Sequence, residues 1–96
     1  MSPKSKIKLN FLRRKLDNLD YQFLKLIKKR TEIVKKVLLL KTNKNEIVDK
    51  KRISVILKKI KKESLKKNID PKITRRIWKN MIWSYIDFEK RNFKKK

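Results

Sequence analysis

Leu9, Leu12, Leu16, Leu19, Phe23, Leu26, Ile33, Val37 and Leu40 follow one another at alternating steps of three and four residues, with position 30 completing the series. That spacing keeps one face of an α-helix apolar. It predicts a helix from about residue 6 to about residue 42, with no Pro or Gly to interrupt it. At 1.5 Å per residue the helix is about 55 Å long, whereas a compact domain of this size has a radius of gyration of about 13 Å. One chain cannot cover such a stripe, so the periodicity predicts a partner chain and hence a dimer.

The polar stretch Thr42 to Glu46 breaks the pattern. Asp49 then reads as the N-cap of a second helix that carries Ile53, Ile56, Leu57 and Ile60 on one face. Lys66 to Ile69 forms the next connection. Asp70-Pro71, an N-cap followed by Pro at the first helical position, opens a third helix. That helix carries Ile73, Ile77, Trp78, Met81, Ile82, Tyr85, Ile86 and Phe88 and frays in the basic tail after Arg91. There is no strand pattern and no repeat. The expected fold is all-α: one domain over residues 1–96, three helices per chain, the first very long.

Composition narrows the chemistry. The 96 residues include 32 Lys plus Arg against 9 Asp plus Glu, a formal net charge of +23, and no Cys, His, Gly or Ala. Without Cys there is no disulfide framework, thiolate nucleophile or Cys-based zinc site. Without His there is no imidazole base, and without Gly neither a P-loop nor a dinucleotide-binding loop can be written. An enzyme built from this sequence works with Lys, Arg, Asp, Glu and hydroxyls alone, and no cofactor or metal is expected. The charge also raises an alternative, a basic helical nucleic-acid-binding protein. A plainer explanation competes with it, because a chain rich in Lys, Ile and Asn and devoid of Ala and Gly is what AT-rich coding produces. The lysines are dispersed, with the densest clusters at Lys58-Lys59, Lys61-Lys62, Lys66-Lys67 and Lys94-Lys95-Lys96. Trp78, Trp83 and Phe88 fit packing better than base stacking. No apolar run of signal-peptide length follows the basic stretch Met1 to Lys15, and the longest apolar run, Val37 to Leu40, is far too short to span a bilayer. A soluble, cytoplasmic protein is expected.

Three charges stand where apolar residues belong. Position 30 of the long stripe is Arg30, and a guanidinium in a helix seam is costly unless an anion pairs with it. Lys41 lies three turns further on, within about 20° of the same face and about 16 Å away, a gap that suits a small anion. Glu89 shares a stripe of the third helix with Trp78, Ile82 and Tyr85. It is either the ion-pair partner of this basic cluster or part of a site. Glu32 is the other candidate partner, and snorkelling to water is a third outcome for the cations. Arg13 sits about 25 Å before Arg30 and roughly 100° around the helix. It cannot reach the same ligand within one chain, but in an antiparallel dimer the partner's Arg13 can.

Taken together these residues resemble a known family. Leu12-Arg13-Arg14-Lys15-Leu16-Asp17-Asn18-Leu19-Asp20, then Arg30 and Lys41, then Asp49-Lys50-Lys51-Arg52, then Asp70-Pro71 and the acidic residue at 89, are similar to the all-helical, type II chorismate mutases. The resemblance runs over nearly the whole chain, and it is the combination that is specific. It implies a three-helix chain, two copies intertwined as a homodimer, and sites completed by an arginine of the other subunit. It implies the Claisen rearrangement of chorismate to prephenate, in the biosynthesis of phenylalanine and tyrosine. In the site that it implies, Arg30 and Arg13 of the partner subunit clamp the two carboxylates of chorismate. Lys41 contacts the ether oxygen and the side-chain carboxylate, and Asp49 and Arg52 flank the ring hydroxyl. Glu89 stands where many members have Gln, a second donor to the ether oxygen. The sequence departs from the family pattern at Ile53, where many members have Glu, and at Tyr85, where members often have Ser. The loop after Lys41 is one residue shorter than in some members. These departures fall on the ring-hydroxyl contacts and leave the carboxylate clamp intact. The reaction suits the composition, because a pericyclic rearrangement needs no nucleophile, metal or proton relay.

Overall fold

The computed structural model describes residues 1–94; Lys95 and Lys96, at the end of the basic tail, lie outside the described residues. Helix α1 spans Pro3–Leu40, a 3-10 turn spans Lys44–Glu46, α2 spans Lys50–Lys66 and α3 spans Pro71–Asn92. Among the described residues there is no strand, and no helix is long and apolar enough to cross a membrane. The all-helical class and the three helices agree with the periodicity. The start of α1 differs from expectation by a turn. Ser2 accepts a hydrogen bond from the Ser5 N–H at 3.2 Å and Pro3 takes the first helical position, the same chemistry that opens α3.

The chain divides into two units, Met1–Ile33 and Val34–Lys96, with α1 running through the boundary. The first unit is helix alone and buries none of its residues. Its stripe residues Leu12, Leu16, Leu19, Phe23, Leu26 and Ile33 are 50–60% exposed. The internal contacts of this unit are local: Thr31 Oγ1 donates to the Ile27 carbonyl at 2.8 Å, Lys28 pairs with Glu32 at 3.5 Å, and the Lys15 ammonium sits 4.8 Å from the centre of the Phe11 ring. Such i,i+4 contacts contribute a few tenths of a kcal/mol each, whereas a helix in a folded protein draws most of its stability from packing of its apolar face. Nothing within the unit supplies that packing.

The second unit has a core. Leu38, Ile47, Ile82 and Ile86 are buried, with Val48, Ile53, Ile56, Leu57 and Phe93 packed around them. The spacing 82, 86, 89 puts Ile82, Ile86 and Glu89 on one face of α3, and all three are buried. α2 begins at Asp49, whose Oδ1 accepts the Arg52 N–H at 2.9 Å, and α3 begins at Asp70, whose Oδ1 accepts the Lys72 N–H at 2.9 Å. Both N-caps are those the sequence indicated. The α2–α3 hairpin is pinned by Ser64, a buried residue that donates its hydroxyl to the Ile60 carbonyl and meets Thr74 Oγ1 at 2.8 Å.

The turn between α2 and α3 needs a left-handed residue, and the chain has no glycine to offer. Asn68 takes that position at φ 55°. The Asn68 N–H bonds the Leu65 carbonyl at 3.3 Å and the Ile69 N–H bonds the Ser64 carbonyl at 2.9 Å, which closes the last turn of α2 in a Schellman arrangement. Asparagine tolerates this conformation better than other β-carbon-bearing residues but less well than glycine. Asn68→Gly is therefore expected to raise stability by a few tenths of a kcal/mol and Asn68→Ala to lower it by about 1 kcal/mol. Urea unfolding at fixed protein concentration checks the order, and a reversed order contradicts the left-handed cap.

Candidate functional site

Lys41 is the first residue beyond α1. Its N–H reaches back to the Leu38 carbonyl at 3.1 Å, a last tightened turn that sets its side chain off from the helix end. Its Nζ donates to Glu89 Oε1 at 2.8 Å. The Lys41 side chain is 18% exposed and that of Glu89 is 9% exposed. Of the partners that the sequence left open for Lys41, Glu89 is thus the one it meets. A lysine that buries its stem and finds one carboxylate oxygen forms a short, charge-assisted bond. The same burial makes either group costly to leave alone.

Around this pair the structure gathers further sequence candidates. Tyr85 is half-buried one turn before Glu89 on α3. Lys41 and Asp49 border one open depression of about 700 Å³, together with Asn45, Glu46, Val48, Lys50 and Lys51. That size lies in the range of small-molecule sites. The Asp49 carboxylate is engaged as the N-cap of α2, at the positive end of the helix dipole, and Arg52 is exposed in the same first turn. Ile53, a position singled out as a departure, packs half-buried against the core. Arg13 and Arg30 belong to the unit Met1–Ile33, where Arg13 is exposed and Arg30 half-buried.

One residue of this region escaped the sequence reading. Glu46 Oε1 accepts three hydrogen bonds, from Thr42 Oγ1 at 2.8 Å, from the Asn43 N–H at 2.9 Å and from the Thr42 N–H at 3.1 Å. The signal was present as Asn43-Lys44-Asn45-Glu46, the spacing at which a glutamate reaches back to the start of a helical turn. The Thr42 hydroxyl, followed by the Asn43 and Thr42 N–H groups, holds the Glu46 carboxyl below its ordinary range; desolvation opposes them and the Lys41 charge adds a little more. The folded-state value is thus the lower one. What this clasp adds to stability is present above the unfolded-state pKa and is lost only as pH falls through the depressed folded-state value.

The chemistry available here is that of an ammonium paired with a carboxyl group, the ammonium at the edge of a depression of small-molecule size. No group of three or more acidic, His or Cys side chains able to hold a metal ion occurs among the described residues. The family model described as chorismate mutase type II matches residues 12–90, a span that contains Arg13, Arg30, Lys41, Asp49, Arg52, Tyr85 and Glu89. No curated protein and no solved structure shows a significant match to the chain.

The ion pair makes a stability prediction of its own. Glu89→Leu and Lys41→Met are each expected to cost about 1–3 kcal/mol, because each leaves one charge without its partner. The double variant is expected to lose clearly less than the sum of the two. Urea unfolding of the four proteins at one concentration measures this, and additive losses would mean that the two side chains are not coupled.

Proposed function

From the premise that the chain belongs to the chorismate mutase type II family, and is an isomerase that rearranges chorismate to prephenate, we infer that Lys41 and Glu89 act at the breaking bond. The single observation that carries this reading is their buried contact at 2.8 Å. In the rearrangement the ether C–O bond breaks as a C–C bond forms, and electron density builds on the ether oxygen. A positioned ammonium stabilises that charge, and it does so best where water is excluded. The rest of the acceleration comes from holding the flexible enolpyruvyl side chain over the ring. Two arginines suit that task, since a planar guanidinium grips a carboxylate with two parallel bonds, each charge-assisted bond contributing about 1.5–3 kcal/mol.

We assign the remaining roles as the family resemblance implies. Arg30 and Arg13 of the partner subunit bind the two substrate carboxylates. Asp49 and Arg52 bind at the ring hydroxyl, and Tyr85 lines the substrate. Both units then belong to one domain, in keeping with a family match that spans the boundary between them. The working protein is an intertwined homodimer whose second copy covers the stripe on α1. The half-exposed leucines of the unit Met1–Ile33 support this, because no other part of that unit buries them. The prephenate formed enters the synthesis of phenylalanine and tyrosine. No observation favours the nucleic-acid-binding alternative.

Loss of chorismate absorbance in the ultraviolet tests the activity, and the shared site is tested in the same assay. Arg13→Ala and Arg30→Ala are each expected to be nearly inactive. Mixed and allowed to exchange subunits, they should recover roughly a quarter of wild-type activity, since half of the dimers are mixed and each mixed dimer has one intact site. Heterodimers that form but stay inactive would refute the role of Arg13 across the interface.

Glu89 gives a second test. A carboxylate has no proton to offer the ether oxygen, whereas a carboxylic acid or an amide does. Glu89→Gln is expected to hold or increase activity at neutral pH, because its amide donates without needing a proton from solution, and Glu89→Ala should be clearly less active than Glu89→Gln. Equal activity of the Gln and Ala forms would leave Glu89 as a structural partner of Lys41.

A further inference from the structure

The segment that leads from Lys41 to Asp49 has to turn without glycine and yet leave both residues on one depression. Three contacts hold it. Ile47, at 3% exposure, plugs the middle of the segment into the core. Asp49 closes its far end by capping α2. At the near end, the three bonds accepted by Glu46 Oε1 all come from Thr42 and Asn43, the two residues directly after Lys41. The backbone leaving Lys41 is therefore tied on one side by the Leu38 carbonyl and on the other by the Glu46 carboxylate. Side-chain torsions aside, these ties set the direction from which the ammonium approaches Glu89 Oε1.

We propose that Glu46 is a positioning residue for catalysis: by clasping Thr42 and Asn43 it fixes the backbone from which Lys41 reaches the ether oxygen. The proposal rests on the assignment of Lys41 made above. Glu46 is exposed at the border of the depression and its Oε1 is taken up by the loop, so the role proposed for it runs through Lys41. Its depressed pKa is consistent with the clasp staying closed through the neutral and mildly acidic range. A misplacement of about 1 Å at a reacting group can cost about a hundredfold in rate. Loss of the clasp is thus expected to appear in kcat more than in KM.

The test uses the full chain and chorismate consumption, with unfolding curves taken in parallel. Glu46→Ala is expected to lower kcat by about tenfold or more while changing KM by less than about threefold. Glu46→Gln keeps an acceptor oxygen and should recover most of the loss. Thr42→Val, which removes one donor and keeps the fold, should give an intermediate loss and serves if Glu46→Ala does not fold. In a Lys41→Ala background, Glu46→Ala should cost almost nothing further in kcat, because its effect passes through the missing ammonium. The proposal is overturned if Glu46→Ala or Thr42→Val loses thermal stability with kcat unchanged, or if the losses at 41 and 46 multiply independently. An inactive wild-type protein, or a fully active Lys41→Ala, would instead overturn the assignment of Lys41 itself.

Discussion

A lysine and a glutamate are expensive to withdraw from water, and in this protein one such pair is largely withdrawn, Glu89 more than Lys41. The 2.8 Å contact between Lys41 and Glu89 joins the end of α1 to the last turns of α3, next to Ile82 and Ile86. Replacing such a pair by apolar groups of similar volume is often neutral or stabilising. A small core that keeps one therefore keeps it at the expense of packing, a cost that the role proposed above for Lys41 and Glu89 accounts for. The surrounding geometry converges on the same pair: the tight end of α1 and the clasped turn flank Lys41, and the cap at Asp49 closes the segment that follows.

Much of this was readable from the sequence because it depends on periods and caps. The three-four alternation from Leu9 to Leu40 defined α1, and Asp49 and Asp70-Pro71 marked the starts of α2 and α3 to the residue. The Ser2-Pro3 start was equally legible but was overlooked, since the apolar period only becomes regular after it. Charges out of place on apolar faces pointed to Arg30, Lys41 and Glu89. That Lys41 meets Glu89 depends on how α3 packs, which no period or cap encodes, whereas Glu32 stands nine residues earlier along the chain and about half a turn around. Glu46 had only a weak signal, the spacing from Asn43: two of its three donors are backbone N–H groups, which every residue but proline carries, so no unusual residue type advertises them. The family resemblance, by contrast, rested on scattered residues whose joint occurrence is improbable, and the match over residues 12–90 upholds it.

The stripe on α1 is the clearest case in which one chain's sequence says more than one chain's structure. Its regularity underlies the second copy proposed above, and its leucines remain half-exposed through the unit Met1–Ile33. The charge has the opposite character. A formal +23 is large, yet its lysines and arginines are dispersed along the chain, and Arg30 and Lys41 are the cations that interrupt the apolar pattern. Position in that pattern, and not the number of cations, sets those two apart from the rest.

The absence of glycine reaches beyond the turn in which Asn68 takes the left-handed position. Glycine enlarges the set of conformations open to an unfolded chain more than any other residue does, and a sequence with none starts from a narrower ensemble. Valine, isoleucine and threonine, which are stiff about their first side-chain torsion, narrow it again. Ordering such a chain costs less entropy per residue, so the attractive forces needed to hold it are smaller. Among the described residues the unit Val34–Lys96 buries four hydrophobic side chains. The smaller such a core is, the more it matters how few conformations the chain gives up in forming it.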